Sequence, residues 1–147
     1  MRVAIGNDHA GYELKKVIIP LLKEKNIEVI DCGEKECVHA YSPIIAEKVC
    51  GLIKSKECDR GILICGTGIG MSISANKING IRCAVCSEPY TAKLSRSHNN
   101  ANVLALGGRV VGTELARMIV DIWLDEEFEG GKRYKSYNLI TDIEDRN

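Results

Sequence analysis

Neither sign of charge is in excess in this chain: 20 lysines and arginines face 20 aspartates and glutamates. That balance excludes a broad cationic field for nucleic acid or for an acidic membrane surface, so any anionic ligand has to be held by local groups. Long apolar runs are missing as well. Val17 to Leu22 is the longest and is too short to cross a bilayer, while Val3-Ala4-Ile5 is too short for the core of a secretory leader. No internal repeat, low-complexity tract or linker divides the sequence, so residues 1–147 read as one domain large enough to bury a core without staples. The seven cysteines are an odd number at irregular spacing, which speaks against a disulfide framework and for a reducing cytoplasm.

What is present is a regular alternation of strand and helix. Arg2–Gly6, Ile27–Asp31, Arg60–Cys65, Arg82–Cys86 and Val103–Leu106 read as strands, with the nearly continuous apolar runs of a parallel sheet covered on both faces. Between them, Leu14, Val17, Ile18, Leu21 and Leu22 repeat at helical spacing, as do Leu115, Met118, Ile119, Ile122 and Trp123. Pro20 should kink or loosen the first helix. Ser42-Pro43 reads as N-cap and first turn of the second, with Ile45, Val49, Leu52 and Ile53 inward. The third helix should start near Gly70 and the fourth near Pro89. The pattern implies a Rossmann-like doubly wound five-stranded parallel sheet, a three-layer α/β/α architecture with strand order 2-1-3-4-5. In that order strands 1 and 3 are neighbours at the topological switch point, so Asn7-Asp8-His9 and Cys65-Gly66-Thr67 should line one crevice. After Leu124 the composition turns acidic, then basic and glycine-rich, so residues 125–147 depart from the core pattern.

The segment CGTGIGMSISANK, Cys65 to Lys77, carries the chemistry. It puts a thiol at the end of a buried strand beside a glycine-rich turn that opens a helix, where backbone N–H groups have no intrahelical partner. Such a turn can hold an anion and favour a thiolate. The bland alternatives stand beside this reading. Cys65 could be a small buried hydrophobe, and Gly66, Gly68 and Gly70 could serve a tight turn alone. Asp8 could be only a helix cap, His9 and His98 ordinary histidines, and Lys132, Arg133 and Lys135 a solvated tail. Cys83 and Cys86 form a C-x-x-C inside a strand, a poor place for a redox or zinc motif. Met71 breaks the dinucleotide fingerprint, and no Walker sequence is present. It also fills the arginine position of a Cys-x5-Arg phosphatase loop. A phospho-receiver would need Asp where Cys65 stands and Lys after strand 5, where Arg109 follows two glycines.

GNDHAGYELK (Gly6 to Lys15), CGTGIGMSISANK, Gly80-Ile81-Arg82 and SHNNANVLALGGRVVG (Ser97 to Gly112) together resemble the ribose-5-phosphate isomerase B family, which also includes galactose-6-phosphate isomerase subunits. The likeness runs from Arg2 to about Gly131. It implies a cytoplasmic, cofactor-free aldose–ketose isomerase with no metal, acting on a small sugar phosphate. It also implies a homodimer or tetramer with sites at subunit interfaces, residues 125–147 reaching the partner.

By the same resemblance His98 would open the sugar ring, and Cys65 would move a proton between C2 and C1 through a cis-enediolate. Thr67 and the turn amides after Gly66 would stabilise the oxyanion, and Gly66, Gly68 and Gly70 would bind substrate. Asp8 and Asn99 would hold hydroxyls, and His9 and Arg109 the phosphate end. Two departures touch the ligand walls. The family tail Gly-Gly-Arg-His-x-x-Arg is here Gly130-Gly131-Lys132-Arg133-Tyr134-Lys135-Ser136, so Lys132 and Ser136 stand where two phosphate-binding arginines are expected. Asp-Tyr-Pro-Asp-Tyr-Ala is here Tyr41-Ser42-Pro43-Ile44-Ile45-Ala46. They leave open an isomerase of six-carbon sugar phosphates or free aldoses of the allose/psicose type, or a non-catalytic sugar-phosphate-binding subunit.

Overall fold

A computed structural model of the protein describes residues 1–36 and 39–147. The most continuously apolar segments take the centre of its five-stranded parallel sheet. β1 (Arg2–Asn7), β3 (Arg60–Cys65) and β5 (Val103–Gly107) are almost wholly buried, because helices cover both of their faces. β2 (Glu28–Asp31) and β4 (Cys83–Val85) are short, carry exposed positions and lie at the two edges. The order is β2-β1-β3-β5-β4, with every neighbouring pair parallel.

The last two strands are therefore exchanged relative to the expected 2-1-3-4-5. The reason is visible in the segments themselves. Val103-Leu104-Ala105-Leu106-Gly107 has no exposed residue and needs a strand on each side, whereas the three residues of β4 end in the half-exposed Val85.

Side chains alternate across the sheet with period two and divide the core in halves. Val3, Ile5, Ile62, Ile64, Leu104 and Leu106 face α1 (Tyr12–Glu24), α4 (Pro89–Ser97) and α5 (Thr113–Asp125). Ala4, Leu63, Cys65, Val103 and Ala105 face α2 (Ser42–Lys54) and α3 (Ile69–Ala75). α1 and α3 thus follow adjacent strands but lie on opposite faces, which opens the crevice over the ends of β1 and β3.

Several local readings change. α1 runs without interruption through Pro20 on its exposed side. α2 buries Ile45, Ala46, Val49 and Cys50, with Leu52 and Ile53 only partly covered. α5 is rolled so that Ala116, Ile119, Val120, Trp123 and Leu124 are buried and Met118 faces outward. Trp123 fixes that roll: the Arg60 and Arg96 guanidinium carbons stand 5.5 Å and 5.9 Å from its ring centroid. Arg60 also donates to the carbonyls of Trp123 at 2.9 Å and Leu124 at 2.7 Å, capping α5 from inside. Burial lowers the pKa of both guanidinium groups, that of Arg96 to about 10.

The 125–147 segment contains a further helix, α6 (Arg133–Asp145), with no buried residue. It is moored by the Arg82 guanidinium, 4.9 Å from the Tyr137 ring centroid, and by the Gly80 N–H, which donates to Glu144 Oε1 at 2.7 Å. Leu139, Ile140 and Ile143 remain exposed along it.

Candidate active site

The candidate residues fall into two groups at opposite ends of the strands. The first gathers where β1, β3 and β5 end. Asp8 follows β1, and its Oδ1 accepts from the N–H groups of Ala10 at 2.9 Å and Gly11 at 3.2 Å. It thereby caps the 3-10 turn His9–Gly11 that leads into α1. Its other oxygen, Oδ2, accepts from the Ser42 hydroxyl at 3.0 Å. Ser42 does not cap α2 as its sequence context implies. Tyr41 occupies the N-cap without a side-chain bond, and the serine hydroxyl is turned to the buried carboxylate instead.

Cys65 is the last residue of β3 and is 5% exposed. The Gly68 N–H donates to its sulfur at 3.1 Å, and the Gly108 N–H donates to its carbonyl at 2.7 Å. Gly68 is left-handed, at φ +80°, which turns the chain from strand to helix and aims its amide back at the thiol. Thr67 is exposed beside it and accepts from the Ile69 N–H at 3.3 Å through Oγ1. α3 starts at Ile69, one residue before Gly70, where an added Cβ would stand 4.0 Å from Ser42 Cβ.

Arg109 closes this group. Its N–H donates to the Gly66 carbonyl at 3.0 Å, and its guanidinium lies over Gly66, where a Cβ would stand 3.6 Å from Nη1. His9 stacks on His39 with centroids 5.1 Å apart, and His39 meets Tyr41 edge-on at 5.1 Å. The group therefore offers a thiol, a carboxylate, a hydroxyl, an imidazole, a guanidinium and turn amides in one polar crevice. That set can hold a hydroxylated anion and move protons on it.

The second group lies at the other end. Helices run antiparallel to the strands they follow, so the α4 C-cap, His98, lies toward the beginning of β5. The register pairs Gly61 with Val103 at that end and Cys65 with Gly107 at the first, about 13 Å further along the sheet. His98 Nε2 stands 2.8 Å from Arg133 Nη2 and 3.5 Å from Glu129 Oε1. Asn99 is exposed next to it and lines a groove of about 740 Å³ with Arg82, Ile140 and Ile143. Lys132 is the N-cap of α6, and Ser136 lies exposed on its first turn.

Ser42 and Glu129 are not marked as functional by their sequence context, and Arg133 stands there only in a basic cluster that reads equally as a solvated tail. Ser42 was hidden by its role as an apparent cap. The other two could be found only from the path of the chain after α5.

Of the seven cysteines, Cys37 lies outside the described residues; the other six carry free thiols. Burial pushes the thiols of Cys83, Cys86 and Cys50 up, the last to about 12, so they favour the neutral form rather than a reactive thiolate. Among the described residues no cluster of His, Cys, Asp or Glu could hold a metal ion, and no helix is long and apolar enough to cross a membrane.

The fold and the crevice define a doubly wound α/β enzyme that works on a small polar molecule by acid–base chemistry. The chain belongs to the Ribose/Galactose Isomerase family, whose model matches residues 3–140. It is 52% identical to ribose-5-phosphate isomerase B of Escherichia coli over 99% of this chain and 97% of that one. It is 47% identical to D-erythrulose-4-phosphate isomerase of Pectobacterium atrosepticum over 89% of this chain and 87% of that one. The fold superposes on ribose-5-phosphate isomerase B of Clostridium thermocellum with a TM-score of 0.97 at 51% identity, covering 99% of each chain. It also superposes on the Mycoplasma genitalium ribose-5-phosphate isomerase B with bound ribulose-5-phosphate. There the TM-score is 0.93 at 38% identity, over 99% of this chain and 97% of that one.

Proposed function

We propose that the protein is an aldose–ketose isomerase interconverting ribose 5-phosphate and ribulose 5-phosphate without a cofactor. The observation that carries this reading is the Gly68 amide directed at the buried Cys65 sulfur from 3.1 Å, at the strand ends where the fold has its crevice. Family membership and the names of the relatives support the substrate class.

In this mechanism His98 first opens the furanose. Cys65, as thiolate, then takes the C2 proton and returns it to C1, while the O2 hydroxyl proton passes to O1. An amide donating to sulfur stabilises the thiolate more than the thiol, because hydrogen bonds to charged acceptors are the stronger ones. The cis-enediolate between the two transfers develops negative charge on oxygen, which Thr67 and the turn amides of Gly66, Gly68 and Gly70 meet with dipoles already in place. Asp8, held by two amides and Ser42, orients sugar hydroxyls with Asn99. His9, Arg109, Lys132 and Ser136 form the phosphate end.

Cys65 ends β3, whereas His98 lies near the start of β5, about 13 Å away along the sheet, with Arg133 of the Lys132–Ser136 stretch bonded to it. We therefore infer a homodimer in which each sugar sits between the Cys65 end of one subunit and the His98 end of its partner. The exposed apolar residues of α6 suit a tail that reaches the neighbour. Six free thiols are consistent with a reducing cytoplasm.

The test is a Cys65→Ala variant assayed with five- and six-carbon aldoses, with and without phosphate. It should bind ribose 5-phosphate yet lose at least about a hundredfold in kcat, the scale of a positioned acid–base group. Solvent hydrogen exchange at substrate C2 should vanish with turnover. A variant that still turns over sinks the role of Cys65, and a wild type inert on every sugar sinks the reading itself.

A further inference from the structure

Three charged or titratable side chains meet at the end of α4. Arg133 Nη2 stands 2.8 Å from His98 Nε2, Arg133 Nε donates to Glu129 Oε2 at 3.3 Å, and Glu129 Oε1 faces His98 Nε2 at 3.5 Å. Glu129 is itself fixed from behind. Its N–H donates to the Ser97 carbonyl at 3.0 Å, and the Glu126 carbonyl upstream accepts from both Arg60 and Arg96. The nearby Lys93 is turned to Glu126, 3.9 Å away, and the charged groups that face the imidazole are Glu129 and Arg133.

A guanidinium has donors and no acceptor, so a contact from Arg133 to Nε2 requires a lone pair there and puts the ring proton on Nδ1. A carboxylate has the opposite preference: Glu129 favours a protonated Nε2. We propose that Arg133 and Glu129 are positioning residues for His98. Arg133 keeps Nε2 free of a proton in the resting enzyme, and Glu129 receives Nε2–H once the imidazole has taken one.

This rests on the assignment of ring opening to His98. In that step the sugar O1 hydroxyl takes the place of Arg133 and gives its proton to Nε2 as C1=O forms. The C1–O4 bond breaks with its electron pair going to O4, and Nε2 returns the proton to O4. The residue ends as it began, and the proton has moved from O1 to O4. Arg133 stands where the family tail has histidine, so this clamp is a property of the present chain rather than of the motif.

Ring ¹⁵N spectra of the full-length protein at about pH 8, above the ordinary histidine range, read the tautomer directly. Signals of His98 are assigned by their loss in His98→Asn. The wild type should show His98 protonated on Nδ1, and Arg133→Met should move the proton to Nε2. In parallel, kcat on ribose 5-phosphate is divided by kcat on erythrose 4-phosphate, which cannot close a furanose ring. That ratio should fall at least about tenfold in Arg133→Met and in Glu129→Gln, part of the about hundredfold or more that a positioned acid–base group contributes. Arg133→Lys, which keeps a donor, should recover part of it.

Wild-type His98 protonated on Nε2 overturns the proposal. So does a ratio that falls in His98→Asn but in neither Arg133→Met nor Glu129→Gln. An unchanged ratio in His98→Asn overturns the ring-opening role itself, and the proposal with it.

Discussion

The main-chain N–H of Gly68 meets the sulfur of Cys65 at 3.1 Å, and the backbone there is of a kind that only glycine holds comfortably. A Cβ on Gly68 would stand 2.8 Å from Val85 Cγ2 and 3.1 Å from the carbonyl carbon of Leu106, at φ +80°. Gly68→Ala should therefore lose about 1–3 kcal/mol of stability, the scale of a strained left-handed residue. It should also lower kcat at least about tenfold, since the clash shifts the amide away from the sulfur, and losing one preorganised donor at a developing charge costs that much or more. Urea unfolding and steady-state kinetics check the two parts separately. Full activity in a destabilised Gly68→Ala enzyme would mean that the amide serves the turn and not the thiol.

Placing Cys65 and His98 at opposite ends of the strands makes subunit exchange informative. Cys65→Ala and His98→Asn are each expected to be nearly inactive alone. A hybrid dimer places both defects in one of its two sites and leaves the other intact. Equal amounts of the two chains, mixed to equilibrium, should recover about a quarter of wild-type activity, because half the dimers are hybrids and half their sites are whole. Absence of any recovery after verified exchange would show that each site is built from a single chain.

Ser136 offers a phosphate only a neutral hydroxyl, and Lys132 a compact single charge, where arginine would grip with a planar fork. Restoring one guanidinium by Ser136→Arg, alone or with Lys132→Arg, should strengthen phosphate binding by about 1.5–3 kcal/mol. KM for ribose 5-phosphate should accordingly fall about ten- to a hundredfold, and turnover of six-carbon or unphosphorylated aldoses should fall with it. An unmoved KM would take the first turn of α6 out of the phosphate site.

Alkaline unfolding should report Cys50. Burial raises its thiol from the usual 9.0 to about 12, so the folded chain keeps a proton that the unfolded chain releases. Stability from this source is fully present below about pH 9 and is lost as the pH rises toward about 12. In Cys50→Ala the urea midpoint should decline less steeply across that interval than in the wild type. Parallel declines would assign the alkaline loss to other groups.

The central strands were legible because burial on both faces leaves an unmistakable apolar run, and β3 begins and ends where its sequence pattern does. The glycine turn after Cys65 was legible for a chemical reason, since three alternate glycines at a strand end have few structural uses. Strand order beyond β3 was not, because β4 differs from β5 only in length and in the exposure of Val85. The roll of α5 was missed for a similar reason. Met118 fits the apolar stripe, but the two guanidinium groups around Trp123 decide which way the helix turns. Ser42 and Arg133 show a third limit. Local sequence offers the serine a cap and the arginine a solvated face, and only the folded chain brings Asp8 and His98 close enough to claim them.

The seam where β1, β3 and β5 end is closed backbone on backbone. A Cβ on Gly11 would stand 2.3 Å from the Ile64 carbonyl oxygen, one on Gly107 2.9 Å from the Thr67 main chain, and one on Gly108 2.5 Å from the Ala10 carbonyl oxygen. Where no side chain fits, natural variation has nothing to adjust. Drift in what such an enzyme accepts has to be written elsewhere, on walls that tolerate new side chains. On the proposed function, the exposed positions where this chain leaves its family's pattern, Tyr41, Ile44, Lys132 and Ser136, belong to such walls. On that same reading, the proton-moving floor leaves no room for new side chains while the rim above it does, so one chemistry can be fitted to different sugars.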